Sequence, residues 1–198
     1  KDLRIEDMRF DGLIPALNSG KIDIILSSMT RTKQRARSID FSDGYVTNGL
    51  CMLVAKDSTV KTAADLNSDQ RKIAVKRGTT GHVYAVENLK MAGLTVLDAA
   101  ETCVTEVIQK KADAFIYDQI SIYQHWKKHP DSTQAILDPI RKETWAIGIK
   151  KEQPELLASI NGFLRKFKEA DGFKALGEKY MAEEKKTFES LGVPFIFH

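Results

Sequence analysis

The sequence predicts an α/β fold with mainly parallel sheets and helices on both of their faces. Strand-like and helix-like segments alternate along almost the whole chain, as they do in parallel α/β proteins. The first strand-like run is apolar and rich in β-branched residues, which is typical of a strand buried on both faces. The 198 residues, 42% of them hydrophobic, suffice for one large domain or for two small lobes with their own cores.

The first predicted elements lie before residue 27. Residues 3–5 alternate in polarity like a strand in mid-course, and we therefore expect further residues upstream. Asp11 can cap a helix over 13–17, and Gly20 can end it. The apolar run 22–26 predicts a strand buried on both faces.

Four more elements follow in the same alternation. The runs 50–55 and 73–76 predict strands. Apolar residues then recur at helical spacing over 83–89, and Gly93 terminates that helix. A second short helix is predicted over 104–110.

The last predicted elements lie after residue 113. Residues 114–117 form another strand-like run, and the alternation over 145–149 predicts a half-buried strand. Pro154 can start a helix whose apolar stripe runs over 156–167. An Asp-Gly pair breaks the pattern before a final helix over 173–181.

Two polar stretches, 43–49 and 138–144, are predicted to be connections. The chain between them can fold as an inserted lobe. This predicts lobe two over 48–138, and lobe one from 1–47 together with 139–198. A chain that leaves one lobe and returns to it crosses twice, which favours hinge bending.

The composition argues against several classes of function. Thirty basic and 27 acidic residues give a net charge of +3, too small and too dispersed for nucleic acid. No apolar run approaches the ~18 residues that span a bilayer, and the chain shows no signal segment. Cys51 and Cys103 form no Cys-x-x-Cys pair, and the sequence is compatible either with one disulfide bond between them or with two free thiols. His125 and His129 have i, i+4 spacing, but Pro130 follows and no acidic ligand adjoins, so we expect neither metal nor cofactor.

The first candidate binding segment is 27–35, directly after the strand over 22–26. Ligands of parallel α/β sheets collect beyond the carboxyl ends of strands. Thr32 can cap a short helix that carries Arg35, whose guanidinium can hold a carboxylate through two parallel hydrogen bonds. Alternatively, the basic residues of 31–37 form a solvated face.

The second segment is 77–81, Arg-Gly-Thr-Thr-Gly, between a predicted strand and a helix. The N–H groups at a helix N-terminus favour an anion. The loop is no P-loop, so a carboxylate suits it better than a phosphate. An ordinary turn is the alternative.

The third candidate segment is 116–119, in which Asp118 stands at the end of an apolar strand. Its carboxylate is either a helix N-cap or the partner of a cation. Taken together, Arg35 and the helix end at Thr80 suit a carboxylate, and Asp118 suits an ammonium. The sequence shows no competing Ser-His-Asp, Cys-His or metal set.

Four stretches resemble, in the same order, the signature segments of polar amino-acid-binding proteins of family 3 of the solute-binding proteins. They are FDGLIPALNSGKIDIILSSMTRTKQRARSIDFSDGY, RGTTGHVYA, KKADAFIYDQ and TWAIGIKKEQPELLASINGFLRKFKEADGFKALGEKY. The resemblance implies the type II periplasmic-binding-protein-like fold, with two α/β lobes and two hinge strands around one amino acid. It also implies delivery to the transmembrane subunits of an ABC transporter, and a periplasmic or extracytoplasmic location with or without a lipid anchor.

The resemblance also assigns residues of the binding site. Arg35 matches the arginine that holds the α-carboxylate, and Thr80 the helix-end N–H donor to the same group. Asp118 matches the acid that binds the α-ammonium. Ser28, through its carbonyl, and Thr30, through its hydroxyl, match further contacts to the backbone of the ligand.

Two more residues concern the ligand side chain. Phe10 matches an aromatic that packs on it, and Lys76 a position that often contacts its polar end, which favours a polar or acidic ligand. Many relatives have glycine where Ser28 stands. Relatives also begin with a strand and a helix that this chain lacks, so we expect either a fragment or self-association through an exposed sheet edge.

Two other functions remain open at this stage. Dehydratases of aromatic amino-acid precursors resemble the family, and His82 is the one candidate for the general acid that they need. Ligand-binding modules of sensors and receptors share the fold, but they carry membrane segments that this sequence does not show.

Overall fold

A computed structural model describes residues 3–196, which form six strands and seven α-helices. The strands are β1 Ile24–Ile25, β2 Asp40–Ala55, β3 Lys72–Lys76, β4 Gly93–Leu97, β5 Ala114–Asp118 and β6 Thr133–Ile149. The helices are α1 Leu13–Asn18, α2 Thr80–Asn88, α3 Ala100–Ile108, α4 Gln119–Lys128, α5 Pro154–Glu169, α6 Gly172–Tyr180 and α7 Ala182–Ser190. No helix in this part of the chain is long and apolar enough to cross a membrane.

The strands form one mixed sheet in the order β1-β6-β2-β5-β3-β4. β3 pairs in parallel with both β4 and β5. β2 pairs with β5, and β1 with β6, in antiparallel fashion. The α/β class is therefore confirmed, but the prediction of mainly parallel sheets was wrong, because two of these four pairings run antiparallel.

The chain divides into two compact units. Unit 1 comprises the described residues up to Met8, then 12–47, and the chain from Glu143 onward. Unit 2 comprises Arg9–Asp11 and Asn48–Lys142. β2 and β6 run from one unit into the other, so 43–49 and 138–144 lie within strands and are not irregular connections.

Unit 2 has a core to which its strands and the second half of α2, with Ala85, contribute. Alternate residues of neighbouring strands meet in it: Leu50, Met52, Val54, Ile73, Val75, Ala114 and Ile116. α2 lies close to β5 at Gly81, where a Cβ would overlap the carbonyl oxygen of Ile116. Only glycine allows this approach, which fixes where the helix begins relative to the sheet.

In unit 1, one core cluster contains the buried residues Ile147, Ile149 and Leu164. α5 starts at Pro154, as predicted, and Leu164 lies on its buried face. The residues flanking β6's Ile147 are buried too, so this segment is not half-buried as predicted; Ala146 is fully buried.

The beginning of the chain departs most from the predictions. β1 has only two residues, and Ile24 and Leu26 are 37% and 63% exposed, because β1 lies at an edge of the sheet. Leu3 and Ile5 form no strand, and both are more than four-fifths exposed. Alternation alone does not make a strand, since an extended segment without a partner strand leaves its backbone groups unpaired.

Candidate functional site

Two parallel strands of unit 2 end at the same edge of the sheet and place polar groups there. β3 and β5 pair with Ala74 opposite Phe115. The same register, continued by two residues, brings Lys76 level with Tyr117, the residue before Asp118. Ligands of parallel sheets bind beyond the carboxyl ends of strands. This edge is the candidate site of unit 2.

The loop after β3 leads directly into the N-terminus of α2. Gly78 has a positive φ of 74°, which turns the chain toward the helix. Thr79 is the N-cap, and its hydroxyl oxygen accepts the N–H of His82 at 3.4 Å. The same hydroxyl donates to the carbonyl of Lys76 at 2.7 Å. Thr80 is the first residue of the helix, where the macrodipole favours a negative group.

Asp118 ends β5 and caps α4. Its Oδ1 accepts the backbone N–H of Ser121 at 3.0 Å. The cap that the sequence left as one of two interpretations is therefore present. A capping carboxylate keeps a second oxygen and its charge, so this geometry is compatible with binding a cation as well.

Lys76 lies between two aromatic rings. Its Nζ is 5.9 Å from the ring centroid of Phe10 and 5.8 Å from that of Tyr117. Both distances are within the range of cation–π attraction. Phe10 begins a short 3-10 helix, Phe10–Gly12. The segment Arg9–Asp11 belongs to unit 2, whereas Met8 and Gly12 on either side of it belong to unit 1.

A salt-bridge network holds the segment with Phe10 to the loop after β3. Asp98 accepts from Arg9 at 2.8 Å and from Arg77 at 3.0 Å. Arg9 also donates to Asp11, and this hydrogen bond lowers the pKa of Asp11. The prediction that Asp11 caps α1 was wrong, because the N-cap position is Gly12, which has no side chain to accept a hydrogen bond.

In unit 1, the segment after β1 carries Arg35 in a 3-10 helix, Arg35–Arg37. The hydroxyl of Thr32 accepts the backbone N–H of Arg35 at 3.1 Å, and the guanidinium donates to the carbonyl of Thr30 at 2.8 Å. The second bond holds the half-buried side chain of Arg35 close to Thr30. The structure thus brings these two predicted site residues together.

Sequence reasoning missed Glu143. Thr30 and Glu143 are both 7% exposed, and the threonine hydroxyl donates to the carboxylate at 2.8 Å. The backbones are joined next to this contact by a bridge between Thr30 and Trp145. Because the hydroxyl proton goes to Glu143, Thr30 Oγ1 can offer only a lone pair to a ligand. In the sequence, Glu143 is one acidic residue next to the alternating apolar residues of 145–149, and this position was the only feature that set it apart.

Ser28 adopts a conformation that favours glycine. Its φ is 51°, in the left-handed region. Its side chain is exposed, and its backbone hydrogen-bonds the phenol of Tyr45. Burial raises the pKa of Tyr45 to about 12, and the bond from Ser28 acts in the opposite direction.

His82 is poorly suited to donate a proton. Its Nδ1 accepts the N–H of Gly78 at 3.4 Å. Burial, and to a lesser degree the charge of Arg77, lowers its pKa. Within residues 3–196, no group of three or more potential ligands could hold a metal ion. Cys51 and Cys103 are both buried and not joined in a disulfide.

A groove of about 550 Å³ opens elsewhere, on unit 1. Its lining comes from β2, α5 and the residues that follow: Asp43, Gly44, Tyr45, Val46, Thr47, Thr144, Leu164, Arg165, Lys168, Phe173 and Ile196. None of the predicted site residues lines it, and we assign no ligand to it.

Comparisons with known proteins give a consistent result. Residues 1–183 match the family model of bacterial extracellular solute-binding proteins, family 3. The chain is 29% identical over 171 residues to the ABC transporter glutamine-binding protein GlnH of Bacillus subtilis. That match covers 86% of this chain and 62% of the relative, so the chain spans somewhat less than two thirds of it.

Two solved structures are similar in fold and sequence. The P235GK mutant of ArgBP from T. maritima has a TM-score of 0.86 and 34% identity, over 91% of this chain and 78% of that one. The ancestral amino acid-binding protein AncCDT-1, described as a precursor of cyclohexadienyl dehydratase, has a TM-score of 0.80 and 34% identity. This match covers 87% of this chain and 74% of the ancestral one.

Proposed function

The chain belongs to the bacterial extracellular solute-binding proteins of family 3, and we propose that it binds one free amino acid for an ABC importer. One observation carries the proposal. At the edge of unit 2, the N-terminus of α2 and the carboxylate of Asp118 stand at the ends of two neighbouring parallel strands. An anion-favouring helix end and a carboxylate complement the two charges of a free amino acid.

The proposed contacts to the α-carboxylate come from both units. Arg35 of unit 1 offers a guanidinium, which can bind a carboxylate through two parallel hydrogen bonds. Thr80 of unit 2 offers its backbone N–H at the helix end.

The proposed contacts to the α-ammonium are Asp118, Thr30 and Ser28. Asp118 supplies the opposite charge. Thr30 supplies the lone pair of a hydroxyl whose proton is donated to Glu143. The carbonyl of Ser28 adds a third acceptor. Three acceptors match the three donors of an ammonium group.

We propose further that the two units are the lobes of a hinged binding protein, with β2 and β6 as its hinge strands. Both strands pass from one unit into the other. Two strands that connect two compact bodies are suited to hinge closure around a ligand. Phe10 and Lys76 would then contact the side chain of the amino acid.

The similarity to GlnH supports a transport role, because that relative is an ABC transporter binding protein by name. We propose that this chain delivers its ligand to the transmembrane subunits of such a transporter. The family description supports a place of action outside the cytoplasmic membrane. The amino acid itself differs among relatives.

A dehydratase is the second candidate, favoured by the likeness to an ancestral precursor of cyclohexadienyl dehydratase. That precursor is itself described as an amino acid-binding protein. Elimination needs a general acid at the leaving hydroxyl. The lowered pKa of His82 and the hydrogen bond at its Nδ1 disfavour this role, so we propose binding without catalysis.

A thermal-shift screen of the standard amino acids tests the proposal. A ligand present at ~100 times its Kd stabilises the folded state by about 2.7 kcal/mol, and should raise the melting temperature clearly. We expect a shift with a few amino acids and no turnover of prephenate-like substrates. The absence of any shift, or measurable turnover, would contradict the proposal.

A further inference from the structure

A buried hydrogen bond in unit 1 joins Thr30 to the acid Glu143. The hydroxyl of Thr30 donates to Oε2 of Glu143 at 2.8 Å, and both residues are 7% exposed. Charge and burial both strengthen such a bond, because a carboxylate accepts more strongly than a neutral oxygen and water competes little for it. The hydroxyl proton of Thr30 is therefore held on the side of Glu143.

The backbone around this pair keeps the two side chains together. Two backbone hydrogen bonds, of 2.9 and 3.0 Å, and a bridge join the segment 29–31 to the segment 144–146. Thr30 lies in the first segment, and Glu143 directly precedes the second. The strand pairing therefore fixes the acid beside the hydroxyl.

Thr30 is held from a second side by Arg35, whose guanidinium donates to the backbone carbonyl of Thr30 at 2.8 Å. What remains variable at Thr30 is the direction of its hydroxyl proton. A free hydroxyl can rotate and act either as a donor or as an acceptor toward a ligand. Glu143 removes this choice, since a hydroxyl that donates to it can only accept from another group.

We propose that Glu143 is a positioning residue of the amino-acid site, which fixes the Thr30 hydroxyl as an acceptor and so selects ligands whose α-substituent is an ammonium. This inference rests on the proposed function and deepens it. An ammonium has three donors and no acceptor, so it complements the lone pair of Thr30 Oγ1. An α-hydroxy acid has one donor and no charge at the same position, and its oxygen gains nothing from a second acceptor.

The test compares an amino acid with the analogue that differs from it only at the α-position. Calorimetry of the whole chain with the standard amino acids identifies the one that binds most tightly, and then measures the 2-hydroxy acid with the same side chain. In Glu143→Met the Thr30 hydroxyl is released. We expect the affinity for the amino acid to fall by about tenfold to a hundredfold, the range for losing a hydrogen bond to a charged group.

The 2-hydroxy acid should lose much less affinity in Glu143→Met, because the released hydroxyl can donate to its oxygen. The ratio of the two affinities should therefore fall by about tenfold or more. Glu143→Gln keeps an oxygen that can accept from Thr30, and should retain most of the wild-type ratio. In a Thr30→Val background, Glu143→Met should lower the ratio no further, since Glu143 acts through Thr30.

Lys142→Met is the matched control. Lys142 precedes Glu143 on β6 and is exposed, so its loss should change neither affinity. Melting curves establish that each variant is folded. If Glu143→Met does not fold, Thr30→Val decides the question, because it removes the same acceptor and should lower the ratio as well.

The outcomes separate positioning from a merely structural role. A ratio that keeps its wild-type value in Glu143→Met or in Thr30→Val would overturn the inference even if both affinities fell, because damage to the fold weakens both ligands alike. A further fall in the double variant, or a ratio in Glu143→Gln as low as in Glu143→Met, would also contradict it. A folded wild-type chain that binds none of the standard amino acids would instead overturn the proposed function.

Discussion

Arg35 is the residue whose loss should be most damaging to binding. Its guanidinium is positioned by a hydrogen bond to Thr30 and by the 3-10 helix that Thr32 helps to start. Removing one partner of a desolvated charged pair costs about 2–5 kcal/mol, so Arg35→Ala should weaken amino-acid binding by about thirtyfold or more. Arg35→Lys should also bind poorly, because an ammonium cannot form the planar pair of hydrogen bonds.

Calorimetry of the wild type and both variants checks this, with circular dichroism to establish that each is folded. Arg37→Ala is a suitable control, since Arg37 lies in the same 3-10 helix but is exposed. Near-native affinity in Arg35→Ala would remove Arg35 from the site.

Asp118 combines a structural and a proposed binding role, which two substitutions can separate. Asp118→Asn retains an oxygen that can accept from Ser121, so stability should change little. It loses the charge proposed to face the ammonium, and binding should weaken by about a hundredfold, at the lower end of the cost of breaking a desolvated pair. Asp118→Ala should lose both binding and about 1 kcal/mol of stability.

Affinity measurements paired with urea denaturation give both quantities for each variant. If Asp118→Asn lost stability but kept its affinity, the carboxylate would be a cap and nothing more.

At the scale of single elements, Gly81 controls how α2 meets β5. In Gly81→Ala the new Cβ overlaps the carbonyl oxygen of Ile116, and the helix must shift away from the strand. Overpacking of this kind typically costs about 1–3 kcal/mol. Because Thr80 begins the same helix, we expect the affinity for the amino acid to fall together with the stability.

Gly162 offers the control for this substitution. It lies in α5, and a Cβ there has no neighbour within 4 Å. Gly162→Ala should therefore stabilise the protein, by about 0.5–1 kcal/mol, through the higher helix propensity of alanine. Urea denaturation should therefore show a lower free energy of unfolding for Gly81→Ala and a higher one for Gly162→Ala than for the wild type. Equal effects would mean that contact with β5 does not matter.

The elements differ in how well the sequence predicted them. β3 and β5 were predicted well because three consecutive residues of each, 73–75 and 114–116, are apolar and buried. β4 was missed because its residues are only partly buried and begin with a glycine. Residues 43–49 of β2 and 138–144 of β6 were wrongly predicted to be connections, because both stretches are polar and the second contains Pro139. Strand direction was mispredicted because pairing is decided between distant segments.

In the candidate site too, the sequence predicted what depends on local patterns and missed what depends on contacts between distant residues. Local patterns located the loop with Thr79 and Thr80, since a strand, a glycine and a helix follow each other there. The partnership of Thr30 with Glu143 joins residues 113 positions apart, and that of Arg9 with Asp98 joins residues 89 apart. No local pattern encodes such contacts, so the sequence could suggest neither.

At the scale of the whole molecule, β1 is an open edge. Ile24 of this strand is 37% exposed, and Leu26, directly after the strand, is 63% exposed. Exposed edges with apolar side chains favour pairing with another chain. We therefore expect this chain, residues 1–198, to associate as its concentration rises. Leu26→Lys should reduce the association, because a charge on an edge opposes pairing.

Light scattering over a range of concentrations measures this. Val86→Lys provides a control, since Val86 is about half exposed and lies on the helix α2, which is not part of a sheet edge. A chain that stays monomeric at every concentration would contradict the prediction.

The central claim is that this molecule binds one free amino acid, and isothermal titration of the wild-type chain with individual amino acids tests it most directly. We expect saturable binding of at least one amino acid at one site per chain. Binding of no amino acid by a chain that is folded and shows a cooperative melting transition would contradict it.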